Sequence, residues 1–164
     1  MDVTKIYQYA LQREYEGRDF FRNNAKRVGH AAAVGVFENL ATEEEKHIVF
    51  IQSLIDALQG KATSPLQTGK ELEGEGFFST RAQNEALDQT VIEAMVPDLP
   101  VLRTAYLIER DFAEFYEMSA ARVEDETAKK SLQMLGRWER QHEKLFKMMH
   151  DKAFEEYAAM PWGG

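Results

Sequence analysis

Two Glu-x-x-His motifs stand out in the chain: Glu44 with His47, and Glu139 with His142. On a helix, a three-residue step keeps both side chains on one face. Each motif therefore aims a carboxylate and an imidazole in the same direction. A further glutamate stands thirty residues before each motif, Glu14 before Glu44 and Glu109 before Glu139. Four carboxylates and two imidazoles brought together are a donor set for divalent cations. Cysteine is absent. That excludes disulfides, thiolate zinc sites, iron–sulfur clusters and cysteine nucleophiles, and leaves only nitrogen and oxygen ligands.

The elements that must position these residues read as helices. Prolines occur only at 65, 97, 100 and 161, leaving residues 1–64 and 101–160 free of them. Both stretches are rich in Ala, Leu, Glu, Lys, Arg, Gln and Met, which favour helix. Corners at Val28-Gly29-His30 and Glu124–Thr127 divide each stretch in two, with Asp125 or Thr127 as N-cap in the second. The expected helices run near 3–27, 31–59, 99–123 and 127–158. Short corners make each pair an antiparallel hairpin. Residues 60–79 read as loop. Ser79 or Thr80 should cap a short helix to about Val96, with Leu87, Val91 and Met95 on one face, and Pro97 should stop it. The predicted fold is an all-α four-helix bundle in one domain over 1–164. Hairpin 1 spans about 3–59, a long crossover with a short helix about 60–98, and hairpin 2 about 99–158.

The hairpins resemble each other at an offset of 95 residues. Identities include Ala10/Ala105, Glu14/Glu109, Phe20/Phe115, Ala25/Ala120, Val28/Val123, Leu40/Leu135, Glu44/Glu139 and His47/His142. Generic amphipathic helices would share leucines and alanines. They would not repeat Glu and His in register.

Each helix carries an apolar seam at spacings of three and four. Every seam is interrupted mid-length by glutamate: Glu14 between Ala10 and Phe21, Glu44 between Leu40 and Ile51, Glu109 between Ala105 and Phe112, Glu139 between Leu135 and Phe146. Four carboxylates and two imidazoles should thus meet at one level inside the bundle. Unpaired, such buried charges would cost many kcal/mol or stay protonated. No Lys or Arg lies on the seams. Two divalent cations balance four carboxylates, and carboxylate-rich ligation with one imidazole per metal suits iron, with manganese as the alternative.

This pattern resembles the ferritin-like superfamily and, within it, the rubrerythrin-like di-iron proteins. The resemblance rests on Glu14 in Leu-Gln-Arg-Glu-Tyr-Glu, Glu109 in Ile-Glu-Arg-Asp-Phe, and the motifs Glu-Glu-Glu-Lys-His and Trp-Glu-Arg-Gln-His. It implies that Glu14 and His47 hold one iron, Glu109 and His142 the other, and that Glu44 and Glu139 bridge. It also implies a peroxidase-type oxidoreductase acting on hydrogen peroxide or dioxygen in oxidative-stress protection. The alternatives are a ferroxidase for iron uptake or storage, and an inactive bundle serving as an interaction module. Rubrerythrins usually relay electrons through a four-cysteine rubredoxin module; these residues hold no cysteine, so an external electron-donor protein is expected. Family members carry another glutamate three residues after the third-helix ligand, where this chain has Phe112. The family tyrosine seven residues after the first-helix ligand is Phe21 here, while Tyr116 takes the matching place in the second half.

Neighbouring residues have plainer expected roles. Glu16, Glu43 and Glu45 should lie on the solvated face. His30 should sit at a corner as a surface or capping residue, and His150 on the surface. Tyr116 is a candidate hydrogen-bond partner of a ligand carboxylate; Tyr106 should pack. Phe77, Phe78 and Trp162 should cover the bundle or meet another subunit, and a homo-oligomer is expected. Acids outnumber bases 28 to 20, for a formal charge of −8. That argues against nucleic acid and anionic membrane as partners. With no signal-peptide pattern and no long apolar run, the expected location is cytoplasmic.

Overall fold

The computed structural model describes residues 2–61, 63–84 and 88–161. Four long helices form the expected two hairpins. Helices α1 (Val3–Ala25) and α2 (Ala31–Leu58) make the first, α6 (Leu99–Ala120) and α7 (Glu126–Ala159) the second. Their starts are chemically defined. The Asp2 carboxylate accepts from the amides of Thr4 at 3.0 Å and Lys5 at 3.3 Å. His30 Nδ1 accepts from the Ala32 amide at 3.1 Å, which makes this histidine the N-cap of α2. Asp125, not Thr127, caps α7, accepting from the Ala128 amide at 2.7 Å.

The crossover holds more helix than expected. Residues 65–75, read as loop, form α3 (Pro65–Glu75). Pro65 stands in its first turn, where a missing N–H costs nothing, and Gly76 ends it at φ 78°. The single helix expected from Ser79 to Val96 is instead two: α4 (Phe78–Asn84) and α5 (Gln89–Ala94), the latter capped by Asp88. Leu87 lies outside the described residues. Pro97 falls in a 3₁₀ turn, Val96–Asp98, that leads into α6. The loop reading failed because packing overrides composition here. Gly69 lets α3 approach Phe50 of α2 and Met134 of α7, and a Cβ there would lie 3.0 Å and 2.6 Å from their side chains.

The bundle core comes in two apolar clusters. One gathers Tyr7, Ala10, Ile51, Leu54, Phe112, Tyr116, Leu132 and Leu135. The other gathers Phe21, Phe37, Leu40, Leu102, Ala105, Phe146 and Met149. On every long helix the seam glutamate lies between residues of one cluster and residues of the other. A polar layer therefore crosses the middle of the bundle. Within each hairpin the helices pack extensively, whereas α1 and α6 meet only sparsely. No helix among the described residues is long and apolar enough to cross a membrane.

Candidate metal centre

The polar layer consists of Glu14, Glu44, His47, Glu109, Glu139 and His142, none more than 1% exposed. All six residues expected from the sequence meet there. The seam spacing explains why: each residue occupies a core position of its helix, and the two apolar clusters above and below exclude water.

The six form two overlapping groups, one of Glu14, Glu44, His47 and Glu139, the other of Glu44, Glu109, Glu139 and His142. In each group one donor atom per residue lies within 4.8 Å of all the others. His47 Nδ1 stands 2.9 Å from Glu139 Oε1, 3.1 Å from Glu14 Oε2 and 3.5 Å from Glu44 Oε2. His142 Nδ1 stands 3.0 Å from Glu44 Oε1, 3.4 Å from Glu139 Oε2 and 3.5 Å from Glu109 Oε2. Glu44 and Glu139 thus turn one oxygen toward each imidazole. The imidazole rings lie nearly parallel, their centroids 5.2 Å apart.

This layer is unsatisfied as protein alone. Both oxygens of Glu44, Glu109 and Glu139, and Nδ1 of His142, are buried without a hydrogen-bond partner. No Lys or Arg pairs with them among the described residues. Burial pushes Glu14 up to about 7, with the Glu44 charge adding to it and His47 opposing. Burial, then the charges of Glu44 and Glu139, hold Glu109 well above the usual carboxylate range. Burial alone would lower both imidazoles. The surrounding carboxylates outweigh it and raise them instead. Buried anions crowded this closely need cations, and unpartnered carboxylate oxygens with imidazole nitrogens are suitable donors. The residues fit a dinuclear metal site.

The surroundings contain the main correction. Glu43, expected on the solvated face, is only 3% exposed. Its Oε2 lies 2.8 Å from His142 Nε2, and its Oε1 accepts from the Ser79 amide at 3.1 Å. Helix α4 covers the face that a bare bundle would expose. A signal existed in the repeat: the position equivalent to Glu43 is Trp138, and an indole there marks that face as covered. Trp138 is buried against His47, with centroids 5.2 Å apart. Glu143, also unremarked in the sequence, is held between Arg110 and Arg140 at 2.8 Å and 2.6 Å. Glu16 and Glu45 do face solvent, Glu45 pairing with Arg18 and Arg22. Tyr116 donates a hydrogen bond to Glu14 Oε1. Tyr106 and His150 pack edge to face. Phe77 covers Trp138 and His47, and Phe78 packs on the second apolar cluster. Trp162 lies outside the described residues.

A surface groove of about 780 Å³ between α6 and α7 is lined by Glu117, Arg140 and Lys144 among others and touches none of the six residues. A smaller crevice of about 160 Å³ between α1 and α6 is lined by Tyr9, Arg13, Phe112 and Tyr116, the last of which donates to Glu14.

Among the described residues, a helical bundle enclosing paired Glu and Glu-x-x-His residues in one buried layer has the architecture of a ferritin-like carboxylate protein. The family model for rubrerythrin matches residues 5–150, and the chain belongs to that family. Comparison with curated proteins and with solved structures returned no match.

Proposed function

We propose that this chain holds two iron ions and reduces hydrogen peroxide, or dioxygen, with electrons from an external donor protein. The observation that carries this is the pair of four-residue groups sharing Glu44 and Glu139. On this reading Glu14 and His47 hold one ion, Glu109 and His142 the other, and Glu44 and Glu139 bridge them. A ferrous pair supplies two electrons at adjacent sites, matching the two-electron cleavage of an O–O bond. The protein supplies the rest. Its carboxylates neutralise the cations, its apolar clusters keep water out, and Tyr116 orients Glu14. The crevice between α1 and α6 borders Tyr116, the residue that contacts Glu14. Manganese remains an alternative occupant, since oxygen-rich sites separate these metals weakly.

A ferroxidase role in iron uptake is favoured by one residue. Phe112 stands where rubrerythrins carry the glutamate that receives a shifting iron, and its ring lies 3.2 Å from where a Cβ on Gly17 would be. An iron shift toward that side has no carboxylate to receive it. Stopped-flow oxidation of the ferrous protein separates the readings. Fast reaction with peroxide, slow reaction with dioxygen and re-reduction by a donor support peroxidase. Accumulation of many ferric ions per chain supports storage. A purified chain, loaded anaerobically, that retains no iron refutes both.

A further inference from the structure

The two halves of the centre are related by the 95-residue repeat, yet the residues behind the ligands break that relation. Glu43 and Trp138 are one pair of equivalent positions, Phe21 and Tyr116 another. We propose that the two metal positions are unequal by construction: the Glu109–His142 position takes the first ion, with Glu43 as its positioning residue, and the Glu14–His47 position takes the second. This rests on the dinuclear reading above.

The imidazoles differ first. His142 Nε2 lies 2.8 Å from Glu43 Oε2, and Glu43 is itself fixed by the Ser79 amide at 3.1 Å. That contact keeps the proton on Nε2, holds the ring in place and presents the Nδ1 lone pair to a metal. At the equivalent place behind His47 stands an indole. Trp138 stacks on the imidazole at 28° and turns its own N–H away, to Glu73 Oε1 at 3.0 Å. His47 Nε2 is buried with no hydrogen-bond partner among the described residues. A metal on His47 Nδ1 forces the proton onto Nε2, where it has no acceptor. His47 turns Nδ1 toward Glu14 Oε2 and Glu139 Oε1, at 3.1 Å and 2.9 Å, so its polar contacts all lie on the metal side. A metal on His142 Nδ1 leaves the Nε2 contact with Glu43 in place; a metal on His47 Nδ1 leaves Nε2 without a partner.

The carboxylates differ in the same sense. Tyr116 donates to Glu14 Oε1, so only Oε2, which faces His47 Nδ1 at 3.1 Å, is left outside that hydrogen bond. Phe21, at the equivalent position, has no hydroxyl, and both oxygens of Glu109 are unpartnered. Both differences favour the Glu109–His142 half.

The test is an anaerobic titration of the metal-free full chain with Co²⁺, followed by visible absorption and calorimetry. His47→Ala should keep the first binding step. His142→Ala and Glu43→Leu should each weaken it, by roughly 10–100-fold for the Glu43 change. Glu43→Gln, which retains an acceptor oxygen, should recover part of the loss. A purely packing role for Glu43 would move both steps together. The proposal is overturned by a first step that survives His142→Ala but not His47→Ala, or by Glu43→Leu affecting both steps alike or neither. If Glu43→Leu does not fold, the two histidine variants still decide which half fills first. Failure of the unaltered chain to bind two Co²⁺ overturns the dinuclear reading instead.

Discussion

The Tyr116 phenol on α6 donates a hydrogen bond to Glu14 Oε1 on α1, a buried tie between two helices that otherwise meet sparsely. Removing the hydroxyl should matter more to the site than to the fold. Tyr116→Phe keeps the ring in its apolar cluster and loses a hydrogen bond worth about 1 kcal/mol net. The expected outcome is a small loss in urea stability together with an altered metal spectrum, as Glu14 gains a second oxygen for coordination. An unchanged spectrum would show that the hydroxyl does not govern how Glu14 is held.

Metal-free protein should lose stability as pH rises through neutrality. Glu14 is raised to about 7 by burial, and Glu109 is held well above the usual carboxylate range by burial and the charges of Glu44 and Glu139. His47 and His142 are raised too, because their carboxylate neighbours outweigh burial. A group whose folded pKa is raised contributes fully below its unfolded pKa, and the contribution is lost as pH rises through the folded value. Glu44 is lowered and acts oppositely, but only in acid, below the ordinary glutamate range. The melting temperature of metal-free protein should therefore fall from about pH 5 to about pH 8. Metal-loaded protein should show a much flatter profile, because cations replace the protons. Thermal melts across pH, with and without metal, check this. A metal-free profile that rises over that range contradicts it.

Glu44 faces both imidazoles and Glu14 only one, which makes the glutamates unequal. Glu44 turns Oε2 toward His47 and Oε1 toward His142, so its loss should empty both positions. Glu14 approaches only the His47 side. Elemental analysis should find about one ion per chain in Glu14→Ala and far less in Glu44→Ala. Equal retention in the two variants would refute the bridging role.

Docking of α3 can be tested by adding a single methyl group. A Cβ on Gly69 would meet Met134 Cε at 2.6 Å and Phe50 Cε2 at 3.0 Å. The methionine tip can yield; the phenylalanine ring, locked in the core, cannot move far. Gly69→Ala should destabilise by about 1–3 kcal/mol. Gly35→Ala in α2, with nothing within 4 Å, should instead stabilise by about 0.5–1 kcal/mol, because alanine orders a helix at lower entropic cost. Denaturant melts of the two variants should shift in opposite directions.

The four long helices and the six residues of the polar layer were legible in the sequence, as was Asp125 as one of two candidate caps of α7; the Asp2 cap of α1 was not. Helical spacing determines which residues share a face, and a glutamate interrupting an apolar seam must point where its neighbours point. The repeat in Glu14/Glu109, Glu44/Glu139 and His47/His142 added a register that composition does not supply. Tertiary structure alone decided what stands behind those ligands. Seam periodicity describes one helix facing a bundle axis and is silent about a third element laid across the outside. Glu43 is one residue round from Glu44 and would face water on a bare bundle; α4 covers it and gives it to His142. The fold of the crossover followed the same rule, since α3 exists where Gly69 admits it to the surface of α2 and α7. Local pattern determined which six residues share the buried polar layer. Which imidazole gained a carboxylate partner and which gained an indole depended on contacts between elements far apart in the chain.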